Sequence, residues 1–70
     1  ESLIEGHNPL SGREREILRL AESGASISLI ASELCLSVGT VRNHVSSAIG
    51  KTGAANRTEA AVTARRRGWL

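Results

Sequence analysis

Two short segments, SGRE at residues 11–14 and NRTE at residues 56–59, most constrain what this chain can fold into. Each is a capping box. The side-chain oxygen of Ser11 or Asn56 can accept a backbone N–H three residues on, and Glu14 or Glu59 can reach back to the cap's own N–H. Helix starts of this strength near both ends of a 70-residue chain commit most of it to helix. The side-chain inventory agrees. With one Trp and no Phe or Tyr, the core must be built from Ile, Leu, Val and Ala. That suits packed helices better than a sandwich or barrel, whose strands are rich in aromatic and β-branched residues.

Apolar periodicity fills in the rest. The first helix starts at Ser11, carries Ile17, Leu18, Leu20 and Ala21 on its apolar side, and stops at Gly24. A second is expected from about Ser26 to Leu34, with Ile27, Ile30, Ala31 and Leu34 at the i, i+3, i+4, i+7 spacing of one face. The segment CLS makes a short turn, and Ser37 caps a third helix. The fourth starts at Asn56, runs to about Arg67 and ends at Gly68, with Trp69 and Leu70 folding back as an apolar lid. The expected fold class is all-α, a four-helix bundle-like domain. Its two middle helices and short turn read as a helix-turn-helix, a pattern that many helical hairpins share without binding nucleic acid.

Residues 1–9, ESLIEGHNP, lack a period and end in the only Pro, so they are expected to be a linker from a preceding domain. Residues 10–70 form the domain itself. A single Cys forbids an internal disulfide and fits a reducing, cytoplasmic setting. No apolar run approaches a membrane span, and no signal-like segment is present. Net charge is only +2 but divides unevenly: residues 1–33 carry six Glu against three Arg, residues 34–70 six cations against Glu59. A basic second half points to a polyanionic partner, with a solvated helix surface as the plain alternative.

The third helix is the most informative. At about 100° per residue, Val38, Val41, Val45, Ala48 and Ile49 share one face, with Thr52 on the same side. Arg42, Ser46, Gly39, Gly50 and Asn43 follow one another around an outward flank. Thr40, Lys51 and His44 make the other. A helix that enters a major groove needs such a profile, because Arg can pair with guanine and Asn with adenine in a bidentate way. The Ser37 cap leaves helix N-terminal N–H groups facing outward as an anion site. A merely solvated polar face would show the same periodicity.

At these residues the sequence resembles the C-terminal effector domain of the LuxR/NarL/FixJ family. The matching segments are LSGREREILRLAESGAS, IASELCLSVGTVRNHVSSAIGKTGA and NRTEAAVTARRRGWL, which cover residues 10–70. The run from Leu36 to Val45, then Lys51 and Arg57, carries the signature. The tail looks closest to two-component regulators of the DesR-like kind. The resemblance implies sequence-specific binding of double-stranded DNA by a dimer, transcription control, and a receiver domain ahead of the linker. The recognition helix would span about 37–50. Carried over residue by residue, Arg42, Asn43 and Ser46 fall at base-reading positions. Ser37, Thr40 and Lys51 fall at positions facing the DNA backbone, and His44 at one near the backbone or packed against the scaffold. The last helix matches the one used for dimerisation, and there Thr58, Val62 and Arg65 form an outward stripe while Ala60, Ala61 and Ala64 face the core. RNA polymerase is a further partner that such a role allows.

The chain departs from the family pattern in three places. Ser46 replaces a common Lys, Thr52 places a hydroxyl towards the core where Leu is common, and Gly50 lies inside the helix at a cost of about 1 kcal/mol relative to Ala. An early end to the third helix is therefore expected, which bears on the reach of Lys51. Cys35 reads as a small packing residue, His7 as a solvated linker residue, and Arg65–Arg67 as a solvated last turn that complements the helix dipole. There is no Asp, and two separated His with one Cys make no metal set or catalytic triad, so neither a cofactor nor an enzyme is expected. The competing function is a protein-interaction or σ-factor-like helical module working through helix four.

Overall fold

A computed structural model describes residues 8–70. Residues 1–7, with most of the expected linker and His7, lie outside the described residues. Four helices follow in order: α1 (Gly12–Glu22), α2 (Ile27–Leu34), α3 (Val38–Thr52) and α4 (Arg57–Arg66). The described residues contain no strand. None of the helices is long and apolar enough to cross a membrane.

The caps form largely as expected. Ser11 and Glu14 complete a capping box, and Ser26, Ser37 and Asn56 each accept the N–H three residues on. The second box is only half made. Glu59 Oε1 accepts from the Ala55 N–H at 2.8 Å, one residue beyond the cap, while Asn56 sits extended at φ −156°. Gly53 ends α3 in the left-handed region at φ 73°, where a side chain would be strained.

Two apolar clusters share α1. Ile17 and Ala21 meet Ile30, Ala31, Val41 and Val45, which locks α1, α2 and α3 together. Leu18 meets Leu10, Ala48, Ala60, Ala61 and Ala64, which docks α4 on the opposite side. Alanines on α4 bring its backbone close to α1 and α3. Trp69 and Leu70 fold back over this second cluster as expected. Arg67 stacks on the Trp69 ring at 5.1 Å, and Asn8 donates to the Trp69 carbonyl at 2.9 Å.

Three expectations are corrected. Val38 does not pack inward but is 39% exposed, because it stands at the edge of the apolar stripe in the first turn of α3. Cys35 is exposed and not a packing residue, because it caps α2 in the left-handed conformation at φ 57°. Leu36, the next residue, packs against the core instead. Gly50 does not shorten α3, which continues to Thr52. Two contacts hold this last turn: the buried Thr52 hydroxyl donates to the carbonyls of Ala48 and Ile49 at 2.9 and 3.2 Å, and Lys51 bonds α1.

Candidate nucleic-acid interface

The outward flank of α3 exists because the opposite side is fully used. Val41, Val45, Ala48 and Thr52 are buried against α1, α2 and α4, which leaves Arg42, Asn43 and Ser46 exposed together with Gly39 and Gly50. Among the described residues none of these three side chains makes a hydrogen bond or ion pair, so their polar atoms are available to a ligand. Fifteen residues give α3 a length of about 22 Å. Its outward surface is built from small and planar polar groups, a shape that enters a groove about 12 Å wide.

The second flank is more varied. Ser37 is exposed at the N-cap; its Oγ accepts the Thr40 N–H at 3.1 Å and donates to Thr40 Oγ1 at 2.9 Å. Thr40 and His44 are half-buried. Lys51 turns to α1 and places Nζ 2.8 Å from Glu14 Oε1. The same oxygen accepts the Ser11 N–H at 2.9 Å, so one buried carboxylate serves both the α1 cap and the end of α3.

Glu14 is the partner that sequence reading missed. The capping box was visible, but the cation lies 37 residues away and nothing local announces it. Burial by itself would push this carboxyl up. Hydrogen bonds from Lys51, Ser47 and the Ser11 backbone outweigh that, and the group is held at about 2 against an ordinary 4.5. A depressed carboxyl contributes stability that is fully present above pH 4.5 and is lost as pH falls to about 2. Urea unfolding at pH 6, 4 and 2.5 is expected to show an acid loss on the order of 2–3 kcal/mol that Glu14→Gln largely removes.

On α4, Thr58, Val62 and Arg65 are all exposed, as the stripe requires. Val62 is 50% exposed and the core does without it. Arg65 is not free: its guanidinium grips Glu22 of α1 through two bonds of 2.6 and 2.8 Å. That hydrogen bonding holds the Glu22 carboxyl below its ordinary range.

A short helix joined by a turn to a longer capped one that presents an exposed Arg–Asn–Ser flank, both braced by a first helix, defines a helix-turn-helix domain. The comparisons make the class specific. Residues 8–64 match the family model described as bacterial regulatory proteins, luxR family. The chain belongs to that family. It is 51% identical over 69 residues to an uncharacterized transcriptional regulatory protein, YvfU, and 41% identical over 70 residues to the transcriptional regulatory protein DesR, both of Bacillus subtilis. These alignments take in 99% and 100% of this chain but only 34% and 35% of those relatives, so the chain spans about a third of their length. The structure of the transcription factor GerE superposes with a TM-score of 0.80 at 43% identity, covering 87% of this chain and 91% of that one. The response regulator ChrA, from a heme-sensing two-component system, superposes with a TM-score of 0.84 at 35% identity, covering 97% of this chain and 34% of its own. The luxR family and the four-helix fold with its helix-turn-helix are therefore established, as the resemblance implied.

Proposed function

We propose that this domain binds double-stranded DNA sequence-specifically as the output domain of a two-component response regulator, with α3 as its recognition helix. The observation that carries the reading is the set Arg42, Asn43 and Ser46 on that helix, exposed and without partners among the described residues. These three are assigned to base edges. Ser37, Thr40 and His44, on the adjoining flank, are assigned to the phosphate backbone, and Lys51 belongs to the same flank by position. The role is binding and not catalysis, and its place of action is the cytoplasm, where bacterial DNA lies. A receiver domain ahead of the linker would supply the signal, and RNA polymerase is the partner through which bound DNA would be read out.

Selection from a random duplex library tests the reading directly. Enrichment of one sequence is expected, with affinity falling steeply as salt rises because each neutralised phosphate contributes about −0.9 to the log–log slope. No enrichment, or binding without a salt slope, would remove DNA as the ligand.

The homodimer belongs to the same proposal. Val62, flanked by Thr58 and by an Arg65 that Glu22 holds in place, supports pairing of two α4 helices around a two-fold axis. Two recognition helices would then stand about 34 Å apart, one turn of DNA. Val62→Glu is expected to change stability by no more than about 0.5 kcal/mol, as an exposed substitution does, and to reduce cooperativity on a two-half-site duplex. Thermal melting beside gel-shift titration reads both. Unchanged cooperativity would assign the dimer to another surface.

A further inference from the structure

The carboxylate that caps α1 also holds the far end of the recognition helix, and this ties the two elements in a definite geometry. We infer that Glu14 and Lys51 form a positioning clasp that sets the rotation of α3 in the groove, so that Lys51 serves sequence reading through Glu14 and not by touching a phosphate. The inference rests on the DNA-binding reading above.

Three observations carry it. Lys51 lies near the C-terminal end of α3, roughly 21 Å beyond the Ser37 cap at about 1.5 Å per residue. A recognition helix reads bases mainly with its N-terminal part, where Arg42 and Asn43 stand, with Ser46 one turn further on at the middle of α3. Next, the Lys51 charge is already matched. Nζ is 2.8 Å from a carboxylate whose side chain is only 5% exposed, and the neutral pair offers a phosphate little net attraction. Finally, the buried side of α3 is Val41, Val45 and Ala48, compact apolar groups that resist separation better than rotation. Lys51 stands on the flank of α3 beside that apolar side, and its bond to Glu14 resists the roll. At a helix surface 5–6 Å from its axis, a roll of about 10° moves a side-chain tip by about 1 Å. Paired hydrogen bonds to one base tolerate little of that.

The test uses the duplex recovered by selection and a scrambled duplex, at a temperature where circular dichroism shows each variant folded. Lys51→Gln and Glu14→Gln are each expected to lower the selected-to-scrambled affinity ratio about tenfold while keeping the salt slope. Lys51→Arg should keep the ratio. The double variant should lose no more than either single one, as residues acting as a unit do. A phosphate contact gives a different result: Lys51→Gln weakens both duplexes equally and lowers the slope by about 0.9, while Glu14→Gln frees a cation and preserves or improves binding. Either finding overturns the inference. If a single variant does not fold, the double variant, which strands no buried charge, decides, and an unchanged ratio there overturns it as well. A wild-type protein that discriminates between the duplexes beside a variant that does so equally well sinks the clasp alone. A wild-type protein that enriches no sequence sinks the DNA reading and the clasp with it.

Discussion

Arg42→Ala is expected to cost about 1–3 kcal/mol of discrimination between the selected duplex and a scrambled one, roughly a 5- to 150-fold fall in the affinity ratio, and Asn43→Ala a similar amount. The expectation comes from their placement. Both side chains are exposed on the outward flank of α3 and make no hydrogen bonds among the described residues, so truncation removes ligand contacts and little else. Melting temperatures should stay close to wild type. Ser46→Ala should do less, since one hydroxyl cannot make a bidentate contact. Competition binding with the two duplexes, read beside thermal melts, separates loss of reading from loss of fold. An unchanged ratio for Arg42→Ala would move the reading face away from this flank.

Ile17→Ala is expected to lower stability by about 2–5 kcal/mol, the usual cost of a large-to-small change in a sealed core. Ile17 is fully buried, and the cluster around it contains Ile30 and Val41, the inward residues of the two helix-turn-helix elements. For 70 residues the whole stability is of the order of 4–10 kcal/mol. The variant should therefore be close to unfolding at 37 °C, and its DNA binding should fall because α3 loses its platform. Urea denaturation gives the stability directly. A loss under about 1 kcal/mol would mean that α1 collapses onto α2 and α3 without a cavity. Leu18→Ala, one residue along, strikes the other cluster and loosens α4 instead.

Much of this fold was legible one helix at a time. The caps at Ser11, Ser26, Ser37 and Asn56 depend on a side chain and an N–H three residues apart, and such local chemistry can be read without a neighbour. The alanine face of α4, the Trp69–Leu70 lid and the exposed Arg42–Asn43–Ser46 flank followed from periodicity. Errors came where a local rule met an unseen boundary. Val38 has the right type for the stripe but stands at its edge in the first turn. Cys35 is small enough to bury but takes the left-handed cap. Gly50 weakens a helix on propensity, yet Lys51 is anchored to α1 and the Thr52 hydroxyl bonds back to Ala48 within α3.

What the sequence by itself determined, then, is the set of helices, their order, their apolar faces and the family signature, because each of these depends on residues within a few turns of one another. Only the tertiary structure decided where the charges go. Lys51 meets Glu14 across 37 residues and Arg65 meets Glu22 across 43. A long flexible cation on a helix can reach water, a phosphate or a carboxylate with equal ease. Which of these it meets is set by how neighbouring helices cross, and that crossing is fixed by packing of the two apolar clusters around α1.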